Sequence, residues 1–199
     1  EHGETSLRIT AKHQFEKEAL KMIDDMEKKV LARIGQFFYG YDSTSLINEL
    51  FKKLSSLQFT IAAAESLTGG LFQQELTSIP GASSVIKGGV VCYATEMKEK
   101  ILQVKIETIQ SDGVVSAKCA EELAENVRKM MDASIGISFT GVAGPSEQEG
   151  KPVGTVYIGI SIKGEEPKSF YHQLSGSRGR IRLLSVKHGA KHLLDQLQT

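Results

Sequence analysis

Ile61-Ala-Ala-Ala-Glu-Ser-Leu-Thr-Gly-Gly70 reads as a buried strand that breaks into a turn and opens a helix. Thr60 to Ala64 is small and apolar, as a strand covered on both faces should be. Glu65 and Ser66 fall at its end. Gly69 and Gly70 permit close approach of backbone or ligand. Leu71, Phe72, Leu76 and Ile79 then recur at helical spacing. Ser66 is thereby expected just ahead of a helix N-terminus, where free N–H groups suit an oxyanion or a phosphate. Strand, serine, glycines and helix are the parts of a nucleophile elbow, but the G-x-S-x-G spacing is absent.

Outward from this stretch, strands and helices alternate. Ser45 to Ser56 is a helix with Leu46, Ile47, Leu50, Phe51 and Leu54 as its buried stripe, after a polar hinge at Asp42-Ser43-Thr44-Ser45. Downstream come a strand at Gly89–Tyr93 and a helix at Thr95–Leu102. A further helix lies within 114–132, capped by Ser116 and exposing Glu122 and Lys129. A buried strand at Ile135–Phe139 leads into Thr140-Gly-Val-Ala-Gly-Pro145 and a polar loop, Ser146 to Pro152. A hairpin (153–162 and 168–174) and a closing helix (177–197) end the chain. The pattern predicts an α/β fold, a three-layer α/β/α sandwich on a mixed, mostly parallel sheet. Residues 1–42 differ from the rest. They read as strand Leu7–Ala11, a charged amphipathic helix over Gln14–Ile34, and an aromatic strand Phe37–Tyr41. This βαβ piece is too small to be comfortable alone. We therefore divide the chain into 1–42 and 43–199. It opens on Glu1 rather than Met, so a longer parent chain is expected.

Composition narrows the function classes. Of 199 residues, 24 are Lys or Arg and 24 are Asp or Glu, so the net charge is zero. That gives no broad electrostatic footprint for nucleic acid and no polybasic membrane surface. No apolar run is long enough to span a bilayer. Cys92 and Cys119 sit in apolar sequence without metal-ligand spacing, as reduced thiols of a cytoplasmic protein would. No metal and no cofactor is called for.

Loops at the carboxyl ends of parallel strands converge on one rim. Here that rim gathers Glu65, Ser66, Thr68, Tyr93, Lys98, Thr140 and the 141–145 loop. A serine nucleophile needs a base. The five histidines lie far in sequence from these turns. Lys98 can reach back over the rim, but it reads equally as a solvated helix lysine beside Glu96 and Glu99, and spacing alone favours the latter. Arg178 and Arg182 share a helix face and suit gripping a phosphate or carboxylate, or form an exposed basic helix end.

As a set, these segments resemble one family. Glu65-Ser-Leu-Thr-Gly-Gly70, Pro80-Gly-Ala-Ser-Ser84, Gly88-Gly-Val-Val-Cys-Tyr93 with Lys98, and Gly113-Val-Val-Ser116 occur in order. Thr140-Gly-Val-Ala-Gly-Pro145, Lys151-Pro-Val-Gly-Thr155 and Gly176-Ser-Arg178 with Arg182 follow. From about Thr44 to Leu197 the chain is similar to the C-terminal nicotinamide mononucleotide (NMN) deamidase domain of the CinA competence/damage-inducible proteins. Residues 1–42 resemble the end of the KH-like linker module before that domain. The resemblance implies an amidohydrolase with Ser66 as nucleophile, Lys98 as base, and Tyr93 holding lysine or substrate. It implies a substrate pocket that includes Glu65, Thr68, Gly69, Gly70, Thr140, Gly141 and Gly144, with Arg178 and Arg182 on the phosphate. The implied partners are NMN, further copies of the chain in a dimer or larger assembly, and the N-terminal CinA domain missing here. A catalytically weak nucleotide-binding or protein-interaction module is the alternative. Three residues depart from the family pattern: Thr95 for Asn, Gln103 for Gly, and Ser177 for an acidic residue. Thr95 is expected beside the site; the other two are expected to alter turn geometry and local charge.

Overall fold

The computed structural model describes residues 4–42 and 44–197. Ser43 of the expected hinge lies outside them. The chain divides into two compact units at the Thr44/Ser45 junction.

The first unit is built on α1 (Glu16–Ile34), which continues into a 3-10 turn, Gly35–Phe37. The expected strands at Leu7–Ala11 and Phe37–Tyr41 do not form among the described residues. An extended segment becomes a strand only by pairing its N–H and C=O groups with a neighbour, and neither segment has one. Side chains hold the unit instead. Tyr39 donates to Glu4 at 2.7 Å, Tyr41 donates to Glu27, and Phe38 meets Tyr41 edge-on at 4.8 Å. Burial and the Glu4 carboxylate push the Tyr39 phenol up to about 12.

The second unit carries a five-stranded sheet in the order β2-β1-β3-β4-β5. The strands are β1 (Ile61–Glu65), β2 (Ile86–Val91), β3 (Ile135–Gly141), β4 (Thr155–Ile162) and β5 (Lys168–Gln173). β1 runs parallel to β2 and β3, whereas β4 is antiparallel to β3 and β5. Four of the five strands thus point one way, and β4 is the mixed element. The period-2 alternation of side chains makes the layers. Ser138 on β3 donates to the Ala120 carbonyl of α6 (Ala117–Met130) at 2.6 Å. Gly136 and Gly159 lie on that same face, where a Cβ would collide with the α6 carbonyls of Ala124 and Ala120. Phe139 points the other way, 5.4 Å from Phe72 of α3 (Leu71–Thr77) and against Gly189 of α7 (Arg178–Leu197). The α2 helix (Leu46–Leu57) packs on α7, and Ser45 caps it from the position the sequence suggests.

From β1 the chain leaves by α3 to β2 on one side. It returns through α4 (Thr95–Lys100), α5 (Ile106–Ser111) and α6 to β3 on the other. β1 is therefore the switch point of the sheet, and a crevice opens beyond its carboxyl end.

Two expectations need correction. Glu122 is buried, not exposed, because its carboxylate accepts from the Lys105 amide at 2.9 Å and the Thr108 hydroxyl at 2.7 Å. It caps α5, a helix too short to show in the periodicity. β2 spans Ile86–Val91 rather than ending at Tyr93. That early end frees the carbonyls of Cys92 and Tyr93. Among the family departures, Gln103 takes a positive φ of 52°, a conformation that suits glycine. Ser177 accepts from the Arg180 amide at 3.3 Å, so it still offers a cap at the start of α7.

Candidate functional site

Ser66 follows the last residue of β1, and its amide is held by the Phe139 carbonyl at 3.0 Å. Lys98 on α4 reaches back to it. Its Nζ lies 3.2 Å from Ser66 Oγ, 2.9 Å from the Cys92 carbonyl and 3.5 Å from the Tyr93 carbonyl. Lys98 is 2 % exposed, and its hydrogen-bond partners are a hydroxyl and two carbonyls rather than a carboxylate. The solvated-lysine reading is thus corrected. A serine hydroxyl set against a buried amine is an arrangement for moving a proton from oxygen to nitrogen.

Glu65 is fully buried and does not face the crevice. Its carboxylate accepts from the amides of Phe72 and Gln73, at 3.1 and 3.0 Å, and from the Gln73 side chain at 3.1 Å. It therefore occupies the N-terminus of α3, where the sequence predicts a bound oxyanion or phosphate. The amides of Leu67, Thr68 and Gly70 make no hydrogen bond among the described residues, whereas the Gly69 amide bonds to the Ser66 carbonyl. Of the free three, Leu67 belongs to a residue that lines the crevice.

Ser66, Lys98, Tyr93, Thr140, Gly141, Gly144 and Arg178 come together around one cavity of about 300 Å³. Thr68, Gly69, Gly70 and Arg182 do not line it. Arg182 is turned to the turn's own backbone, bonding the Leu67 carbonyl at 3.1 Å and the Thr68 carbonyl at 2.6 Å. Glu65 and Arg182 thus grip the Ser66 turn from two sides. Arg178 is exposed and bridges the rim, donating to the Gly144 carbonyl at 2.6 Å and the Tyr93 hydroxyl at 2.8 Å. Thr140 is buried and donates to the Val114 carbonyl at 2.6 Å. Thr95 is exposed and lines nothing.

Val114 and Val115, with Ser146, Glu147 and Gln148, complete the cavity. In sequence the two valines are simply apolar residues ahead of the Ser116 cap, and the polar loop offers no periodic signal. Their marker is the Gly113-Val-Val-Ser116 segment of the family pattern, which gives them no role at the site.

Two other clusters are chemically capable but lie off this cavity. Burial pushes the Cys119 thiol up to about 12, and the Cys92 thiol also upward, so both stay protonated and inert. His172 on β5 lies 2.8 Å from His192 of α7, Nε2 to Nε2, and stacks on His188 at 4.1 Å. These three of the five histidines, separate in sequence, are adjacent in space. Among the described residues, no group of three or more His, Cys, Asp and Glu is placed to hold a metal ion, and no helix is long and apolar enough to cross a membrane.

Comparison with known proteins agrees with this architecture. Over residues 1–40 the chain matches the "Damage-inducible protein CinA KH domain" model. A protein of Geobacillus sp. (strain WCH70) carrying the name competence-damage inducible protein is 54% identical over 195 residues, covering 98% of this chain and 47% of its own length. A like-named protein of Bacillus pumilus (strain SAFR-032) is 50% identical over 196 residues, with the same coverage. The chain thus spans about half the length of the curated relatives it matches. The crystal structure of the competence/damage inducible protein from Agrobacterium tumefaciens superposes with a TM-score of 0.72 at 30% identity, over 80% of this chain and 100% of that one. A CinA superfamily protein from Klebsiella pneumoniae 700603 gives 0.75 at 27% identity, over 77% and 96%. Residues 43–197 match the model for the "CinA C-terminal domain", and to that family the chain belongs.

Proposed function

We propose that the second unit is an amidohydrolase that converts NMN and water to nicotinic acid mononucleotide and ammonia. The observation that carries this reading is the buried Lys98 amine 3.2 Å from Ser66 Oγ at the cavity floor. Lysine serves as a general base where its amine is held against the hydroxyl it deprotonates. Lys98 takes the Ser66 hydroxyl proton as Oγ bonds to the carboxamide carbon. The carbonyl oxygen becomes an oxyanion, which the free Leu67 amide can receive. Donors of this kind are worth about 3–4 kcal/mol each. The ammonium of Lys98 returns its proton to the departing nitrogen, the C–N bond breaks and ammonia leaves. Water then attacks the nicotinoyl ester as Lys98 accepts its proton, and Lys98 returns that proton to Oγ as the Oγ–carbon bond breaks, which releases the acid and restores Ser66 and the amine. Arg178 at the rim is the cation available to the phosphate, since Arg182 is committed to backbone carbonyls.

The Thr95 departure is the feature that would favour a catalytically weak binding module. That side chain does not reach the cavity, so no observation favours it over hydrolysis. The test is ammonia release from NMN by the chain and by Ser66→Ala. Full activity in the variant would sink the mechanism.

A further inference from the structure

Residues 146–151 form a small hairpin against the far wall of the cavity. Gln148 and Lys151 pair through their backbones, and Glu149 and Gly150 between them both take positive φ, 54° and 69°. Such a two-residue turn favours Asn, Asp or Gly at its first position, because a side chain crowds the backbone there. Glutamate at 149 is out of place for the turn, and its carboxylate indicates why it is there. It accepts from the amides of Val114 and Val115, at 3.1 and 3.2 Å. Lys151 donates to the carbonyls of Val115 and Asp112 and lies 3.8 Å from the Glu149 carboxylate. Gly113 has a φ of +82°, and a Cβ on it would strike that carboxylate.

Among the described residues, Glu149 and Lys151 supply the hydrogen bonds that tie residues 146–151 to the rest of the chain. Both ends of this tie border the cavity: Ser146, Glu147 and Gln148 on the hairpin side, Val114 and Val115 on the other. Neither Glu149 nor Lys151 lines it. A backbone held in an unfavourable region by specific partners points to a role in the site it supports.

We propose that Glu149 and Lys151 are positioning residues, a latch that holds the hairpin against the 113–115 turn and so sets the width of the substrate cavity. The proposal rests on the amidohydrolase reading for its substrate but not for its geometry. With the latch made, substrate meets a preformed wall. With it broken, binding must first order the hairpin, which weakens affinity while leaving Ser66 and Lys98 in place on other elements.

Amide hydrogen exchange and steady-state kinetics with NMN on the chain, Glu149→Gln and Lys151→Met test this. Glutamine can accept one amide, but its own NH2 opposes the second. In Glu149→Gln, exchange at Val114 and Val115 is expected to speed up at least tenfold, KM to rise about tenfold, and kcat to change less than threefold. Lys151→Met should raise KM in the same sense. Unaltered exchange in Glu149→Gln overturns the latch. So does a fall in kcat with KM unmoved. If the unmodified chain neither binds nor hydrolyses NMN, the amidohydrolase reading falls by itself, and exchange alone decides the latch.

Discussion

The Ser66 turn and the histidine cluster are both groups of reactive side chains packed between strand and helix, yet only one opens on the cavity. Around Ser66 the charged side chains have directed partners, although the buried Thr68 hydroxyl has none among the described residues. Glu65 closes α3, Arg182 holds two carbonyls, and Lys98 is fixed by Cys92 and Tyr93. A cavity opens above them. The rings of His172, His188 and His192 face chiefly one another and Phe170, and none of them lines the cavity. The first group has the space and the oriented amine that the proposed chemistry needs. The second is organised to stay neutral. Reactive residue types do not make a site unless tertiary structure supplies space and orients their hydrogen bonds.

Removing the proposed base should have the largest effect on this contrast. Lys98→Met is expected to lower ammonia release from NMN by about a thousandfold or more, within the range ascribed to a general base, with folding retained by circular dichroism. Glu65→Ala comes next. It orphans the Phe72 and Gln73 amides in a buried place and is expected to cost about 3 kcal/mol of stability, read by urea unfolding. A loss below about 1 kcal/mol would mean that the carboxylate is not the cap it resembles. Arg178→Ala acts at the exposed rim and is expected to raise KM for NMN roughly thirtyfold, the worth of a charge-assisted bond, with kcat little changed.

The smallest effect belongs to the histidines and bears on stability only. Burial and its two neighbours lower His172 to about 4, and burial lowers His188 and His192 as well. The unfolded chain takes up these protons near pH 6.5, before the folded chain does. Their contribution is complete above that pH and is lost progressively as pH falls from about 6.5 towards 4. His172→Phe should flatten the stability–pH curve in that window and leave ammonia release within twofold of the parent. A tenfold loss of activity would show that the two clusters are not independent.

Much of the second unit was legible in sequence because local patterns and the fold agree there. The alanine run of β1 is covered on both faces, and Ser45 and Ser116 cap helices where their spacing indicates. Glu122 defeated the reading because a carboxylate on a helix is ordinarily solvated, and only the arrival of α5 gave it partners. The strands of residues 4–42 failed for the converse reason. Leu7–Ala11 has the alternation of a strand, but alternation describes one edge of a ladder and cannot supply the other.

By itself, the order of residues determined the alternation of strands and helices, the family, and the Ser66 turn, since these depend on neighbours a few positions apart. Tertiary structure decided which polar groups point at the cavity. Lys98 and Ser66 are 32 positions apart and bond because β2 ends early beside β1. Arg182 and Glu65, both expected at the ligand, turn to the turn's own backbone. Unsatisfied amides and carbonyls beside a buried charge are its nearest partners, and leaving them unpaired costs more than a ligand contact returns.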